Sequence, residues 1–200
     1  MKAPQRRVLL AAGLATLVLA GCDKAPPRPA FRAIDVTNAP WGRDFALTDH
    51  NGQRRTLADF RGKVVTVFFG YTQCPDVCPT TLAEMAEVMR LLGKDADRVQ
   101  VLFVTVDPER DTQELLAQYV PAFDPRFLGL RGTREETDQV AREFKVIHQK
   151  APGSRPGTYT VDHTASSYVF DPQGRLRLVV KHAQGAAPLA ADITLLLSGS

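Results

Sequence analysis

K-V-V-T-V-F-F-G, residues 63–70, is a run of Val and Phe interrupted by one Thr, with no charge after Lys63. A continuous apolar run rich in β-branched and aromatic residues reads as a strand buried on both faces, the mark of a central strand in an α/β sheet. After Tyr71-Thr72-Gln73 comes Cys74-Pro75-Asp76-Val77-Cys78, and a helix is expected over residues 78–92. Pro79 suits its first turn, and Leu82, Met85, Ala86 and Met89 fall on one helical face. A buried strand running through two cysteines into a helix sets the fold class.

The rest of the chain extends that unit in both directions. Residues 99–106 read as a second buried strand, 112–120 as a helix and 127–130 as a short strand. Thr133-Arg134-Glu135-Glu136 is a capping box opening a helix to about Phe144. Residues 168–170 and 176–180 flank the turn Asp171-Pro172-Gln173-Gly174, and a last helix is expected over 188–197. Upstream, residues 45–48 and 54–57 flank His50-Asn51-Gly52, a strong hairpin signal. The expected architecture is α/β: a mixed central sheet flanked by helices, with an N-terminal hairpin extension and no internal repeat.

Two hundred residues allow one ordinary domain with appendages. A hydrophobic content of 44% and a charged content of 24% exclude a disordered chain, a collagen and a polytopic membrane protein. The net charge of +3 would suit an anionic partner, but its distribution removes that reading. Residues 1–21 hold three of the 25 basic residues (Lys2, Arg6, Arg7) and none of the 22 acidic ones, so the remainder carries 22 of each. No basic run is left to follow a phosphate backbone, and nucleic-acid binding is excluded.

That N-terminal stretch has the form of an export signal. A basic start is followed by an uncharged apolar run over residues 8–20, too short to span a bilayer core that needs about 20 residues. It ends in Leu19-Ala20-Gly21-Cys22, which resembles the lipobox of bacterial lipoproteins. The resemblance implies cleavage before Cys22 and its acylation, giving a lipid anchor to the membrane. Asp23 resembles an inner-membrane retention signal, so the expected location is the periplasmic face of the bacterial inner membrane. The expected division is a signal peptide over 1–21, an acylated and Pro-rich tether over 22–40 (Pro26, Pro27, Pro29, Pro40), and a folded domain over 41–200.

With Cys22 assigned to lipid, Cys74 and Cys78 carry the chemistry. At a helix N-terminus, unpaired N–H groups and the helix dipole favour a thiolate and lower its pKa. A spacing of four places both sulfurs on one side of a nascent turn, able to close a disulfide or grip a soft metal ion. A purely structural disulfide is the bland alternative, but so short a loop contributes only about 2 kcal/mol by chain entropy. A zinc site wants four ligands, and no second close pair of Cys or His exists. His50, His148 and His182 read as surface or satisfied histidines. His163 follows a turn-rich loop (Ala151 to Gly157) and precedes a strand, where sheet geometry could bring it beside the cysteines. Two thiolates plus an imidazole suit copper, Cu(I) through the sulfurs and Cu(II) with the nitrogen.

The stretch F-F-G-Y-T-Q-C-P-D-V-C-P-T-T-L (residues 68–82) resembles the Sco/SenC family. So do V-T-V-D-P-E-R-D-T (104–112), G-L-R-G-T-R-E-E-T-D-Q-V-A-R-E-F (129–144) and V-D-H-T-A-S-S-Y-V-F-D-P-Q-G (161–174), in family order. The resemblance spans about residues 41–197 and implies a thioredoxin-like fold. It also implies a membrane-tethered copper protein that helps mature the CuA centre of cytochrome c oxidase. Cys74, Cys78 and His163 match the family's copper ligands, and Asp162 and Asp107 match positions near them that are given a supporting role. The chain departs from many members in having Gln73, not His, before the first Cys. Unlike thioredoxins it has no Pro in Asp162-His163-Thr164, and its cysteine spacing is one residue longer.

The implied function is therefore a metallochaperone rather than an enzyme, with the copper-bearing oxidase subunit as its partner. Other copper chaperones or thiol–disulfide reductants are further expected partners. The rival is thiol–disulfide exchange, in which Cys74 and Cys78 reduce cysteines of the oxidase subunit or another copper protein. A third reading is a non-catalytic tethered domain with a structural disulfide.

Overall fold

A computed structural model describes residues 30–199. The expected signal peptide, Cys22 and the first part of the expected tether lie outside the described residues. An eight-stranded sheet runs in the order β1-β10-β9-β4-β5-β6-β2-β3, and β7 and β8 form a separate two-stranded sheet. The strands are β1 (Ile34–Asp35), β2 (Ala46–Asp49), β3 (Arg54–Thr56), β4 (Val64–Gly70), β5 (Val99–Thr105), β6 (Leu128–Arg131), β7 (His148–Pro152), β8 (Tyr159–His163), β9 (Ser167–Phe170) and β10 (Leu176–Val180). Four α-helices accompany them: α1 (Val77–Leu92), α2 (Gln113–Tyr119), α3 (Arg134–Glu143) and α4 (Ala186–Leu197). β4, β5 and β6 are parallel and the remaining pairs antiparallel, so the sheet is mixed as expected.

All seven residues of β4 and of β5 are buried, as their unbroken apolar runs require of strands covered on both sides. Alternation splits β4 between two layers. Phe69 turns to one face and meets Phe144, at the end of α3, and Tyr168, with ring centroids 5.2 and 5.9 Å apart. Phe68 and Gly70 turn to the other, against Phe103 and the start of α1. Helix α1 buries Cys78, Thr81, Leu82, Met85, Val88 and Met89, a stripe at helical spacing, and packs against α4. The capping box forms: Thr133 Oγ1 accepts from the Glu136 N–H at 3.2 Å, and Glu136 Oε2 accepts from the Thr133 N–H at 2.8 Å.

The sheet differs from the expectation at two places. β1 pairs with β10 within the stretch assigned to the tether, so ordered structure begins before Trp41. The buried Asp192 carboxylate of α4 anchors it by accepting from the backbone N–H groups of Arg32 (3.0 Å) and Ala33 (2.8 Å). The stretch around residues 151–157, read as loop, is the tip of the β7–β8 hairpin. His163 consequently stands in a strand rather than a loop, opposite His148 in the paired strand.

Candidate metal centre

The site is built where two pieces of chain meet at the C-terminal end of β4, the edge of a parallel sheet where ligands commonly bind. From β4 the chain leaves the sheet through Tyr71, Thr72 and Gln73 into Cys74, then enters α1 with Cys78 in its first turn. The helix N-terminus has no side-chain cap from Asp76. Instead, Cys74 Sγ accepts from the Cys78 N–H at 3.3 Å, so a sulfur occupies the place of a capping oxygen. From the second sheet, β8 brings His163, whose Nε2 lies 3.4 Å from Cys78 Sγ. The ligand atoms of Cys74, Cys78 and His163 all lie within 4.8 Å of one another. Both cysteines are free thiols; Cys78 is buried and Cys74 half-buried.

The imidazole is prepared for ligation. His163 Nδ1 faces the Thr164 carbonyl at 3.1 Å. A carbonyl only accepts, so Nδ1 carries the hydrogen and Nε2 presents its lone pair to the sulfurs. Burial, the largest influence, pushes the His163 pKa below the ordinary histidine range and favours the neutral ring. Phe68 and Tyr71 meet the ring edge-on, with centroids 6.1 and 5.9 Å away. The expectation of a thiol activated by the helix N-terminus is not met at Cys78. Burial, followed by its hydrogen bond with Cys74, pushes that thiol up. Removal from water outweighs the opposing backbone hydrogen bond at Tyr71 there.

Asp107 and Asp162, the two supporting candidates, sit differently. Asp107 is buried, is ion-paired with Arg110, and accepts from Tyr159 Oη at 2.9 Å. Asp162 is exposed, paired in register with Gln149, and turned away from His163 by strand alternation. The other histidines are satisfied: His50 Nδ1 accepts from the Gly129 N–H at 3.0 Å, His148 Nε2 meets Asp138 at 3.1 Å, and His182 Nδ1 meets Thr81 Oγ1 at 3.3 Å.

Sequence reasoning overlooked Asp111. It is fully buried, and its oxygens accept from Thr72 Oγ1 and Thr105 Oγ1, both at 2.6 Å, and from the Thr72 N–H at 3.1 Å. It thereby fixes the loop two residues ahead of Cys74. Burial, the largest influence, raises its pKa, while the hydrogen bonds from Thr105 and Thr72 oppose the rise. The signal was present in the D-P-E-R-D segment, whose two aspartates are four residues apart, one helical turn.

The SCO1/SenC family model matches residues 35–198. The chain belongs to the SCO1/SenC family. Among its SCO1/SenC relatives, the SCO2 homologue of Danio rerio mitochondria is 47% identical over 133 residues, 66% of this chain and 48% of that one. The Bos taurus SCO2 homologue is 39% identical over 189 residues, 92% of this chain and 71% of that one. The chain thus spans about half the length of the first of these relatives. The structure of Bradyrhizobium japonicum ScoI with copper bound matches at a TM-score of 0.71 and 44% identity, covering 77% of this chain and 98% of that one. Such solved Sco structures share the thioredoxin-like fold expected from the sequence. No helix among the described residues is long and apolar enough to cross a membrane.

Proposed function

We propose that this SCO1/SenC protein binds copper through Cys74 Sγ, Cys78 Sγ and His163 Nε2 and passes the ion to the copper-bearing subunit of cytochrome c oxidase. Acylated Cys22 would tether it to the periplasmic face of the inner membrane. The observation that carries the reading is the meeting of three soft-metal donors, from segments 85 residues apart, within 4.8 Å. The donor set fits copper: two thiolates hold Cu(I), and a neutral imidazole beside them suits Cu(II). Family membership and the copper-bound B. japonicum relative support the same cargo. Cys74, being half-buried, gives an incoming ligand access to one sulfur, as transfer by ligand exchange requires. Asp107 supports the site through Tyr159 and Arg110. Asp162, exposed on the opposite face of β8, acts on His163 only through its charge.

Copper titration of the reduced protein tests this. Cys74→Ser, Cys78→Ser and His163→Ala should each lower Cu(II) affinity by more than about 100-fold, beyond what loss of an outer-shell partner costs. Parental affinity in all three would remove the assignment. In a strain lacking the protein, rescue of oxidase activity by added copper is expected.

The accessible Cys74 beside a buried Cys78 also has the form of an attacking and a resolving thiol, which favours disulfide exchange as the second reading. His163 separates the two readings: an exchange activity largely survives its removal, while Cu(II) binding does not. Rescue of the strain by a thiol reductant alone would support exchange.

A further inference from the structure

We infer that Arg110 is a positioning residue of the metal centre, latching the loop that carries Cys74 to the strand that carries His163. The inference rests on the copper-binding reading above. The donors come from two separate sheets: the cysteines follow β4 of the large sheet, while His163 ends β8, whose strand partner is β7. β9 is laddered to β4 only as far as the Phe68–Ser167 pair, so three residues outside any ladder, 164–166, separate His163 from it. Side chains tying the hairpin to the body therefore help set the distance between sulfurs and imidazole.

Arg110 contacts both parts. Its Nη1 donates to Gln73 Oε1 at 3.1 Å, one residue before Cys74, and to the Tyr159 carbonyl at 2.9 Å, at the start of β8. The guanidinium lies 3.6 Å from the centroid of the Tyr159 ring and 5.6 Å from that of Tyr71, which itself borders His163. Nε pairs with Asp107, whose other oxygen accepts from Tyr159 Oη, so the carboxylate closes the arrangement from behind. Another tie, Lys150 to Glu109 at 2.6 Å, joins side chains that are 38% and 53% exposed. Water weakens such a pair. The Arg110 and Asp107 side chains are only 20% and 1% exposed, so theirs is the better shielded tie. Nη2 is buried without a hydrogen-bond partner among the described residues. A planar fork that donates to two segments while stacking on a ring is a task for Arg and not Lys.

The latch acts on the ligand that crosses between sheets. Losing it should loosen His163 and leave the Cys74–Cys78 pair intact. The test compares the purified reduced protein with Arg110→Gln, Arg110→Lys, Gln73→Ala and His163→Ala, measuring Cu(I) and Cu(II) affinities and Cu(II) paramagnetic resonance. Arg110→Gln should lower Cu(II) affinity by about 10–100-fold, as loss of an outer-shell partner does, while Cu(I) affinity changes by less than about threefold. Nitrogen hyperfine structure should weaken toward the His163→Ala spectrum, and Arg110→Lys should restore it only in part. Gln73 is exposed, so Gln73→Ala cuts one side of the latch with little risk to folding. It should cause a smaller loss in the same direction, and none once Arg110 is already Gln.

Parental Cu(II) affinity and spectrum in both Arg110→Gln and Gln73→Ala would overturn the latch. So would equal losses of Cu(I) and Cu(II) in Arg110→Gln, which would report general damage to the fold. A parent protein that binds neither ion would overturn the copper reading itself, and the latch with it.

Discussion

Gly70 ends β4 with a hydrogen where any other residue would place a carbon. A Cβ there would stand 2.8 Å from Cys78 Sγ, 2.8 Å from Phe103 and 3.0 Å from Phe68. Two of those neighbours are ring atoms packed in the core, so the sulfur is the atom left to move. Gly70→Ala should therefore push Cys78 Sγ away from His163 Nε2 and weaken copper binding. It should also cost about 1–3 kcal/mol of stability, as overpacking does. Denaturant unfolding combined with copper titration checks both effects; parental values would show that the strand end yields without moving the sulfur. In the sequence, Gly70 looks only like the end of an apolar run. The atoms that make it necessary arrive from α1 and β5 and become visible only in three dimensions.

Two hairpins share one construction at the scale of the element. In D-H-N-G-Q-R-R (residues 49–55) the Gly52 N–H donates to the Asp49 carbonyl at 2.9 Å, and in D-P-Q-G-R-L-R (171–177) the Gly174 N–H donates to that of Asp171 at 2.8 Å. Each glycine has a left-handed φ, +81° and +74°, the conformation that closes a three-residue hairpin loop. Each aspartate also turns its side chain back into the loop. Asp49 accepts from the N–H groups of Asn51 and Gln53, both at 2.9 Å, and from Arg55 Nε at 2.8 Å. Burial raises the Asp49 pKa, but those donors outweigh it and hold the carboxyl below its usual range. A depressed folded pKa means stability that is present above the unfolded value and is lost as the pH falls through the folded one. Asp49→Ala should lower stability at neutral pH by about 2 kcal/mol. The deficit should shrink toward zero in acid, where the parent carboxylate is also protonated. Thermal melts across that range measure it, and a deficit independent of pH would count against the charge. Both turns were legible, through Asn51-Gly52 in the first and Asp171 to Gly174 in the second, because turn chemistry is local; the part played by Asp49 was not. The β7–β8 hairpin was not: H-Q-K-A-P shows no apolar alternation, and Y-T-V-D-H alternates over too few residues to announce a strand without its partner.

For the whole molecule, the question is where the fold begins. Arg32 and Ala33 are far from Asp192 in sequence, yet the buried carboxylate holds their N–H groups, and β1 then adds to the edge of the large sheet. Asp192→Ala should release this segment. Amide exchange at residues 31–36 should rise, and stability should fall by about 1–3 kcal/mol, the penalty for orphaned buried groups. Exchange rates equal to those of the parent would show that β1 is held by its pairing alone. A proline-rich stretch gives no warning of such docking, because its partner is a single polar residue on the last helix.

The residues alone determined the α/β class, the buried central strands, the capped start of the helix at Thr133, the turns at Gly52 and Gly174 and the chemical identity of the donors. Each follows from an interaction reaching only a few positions along the chain: an apolar period, a cap or a turn. Tertiary structure decided how closely His163 approaches the sulfurs, that Cys78 is buried rather than activated, that Gly70 must lack a side chain, and that Arg110 and Asp111 support the site. Those outcomes depend on burial and on contacts between segments distant in sequence, and such contacts exist only once the two sheets have packed.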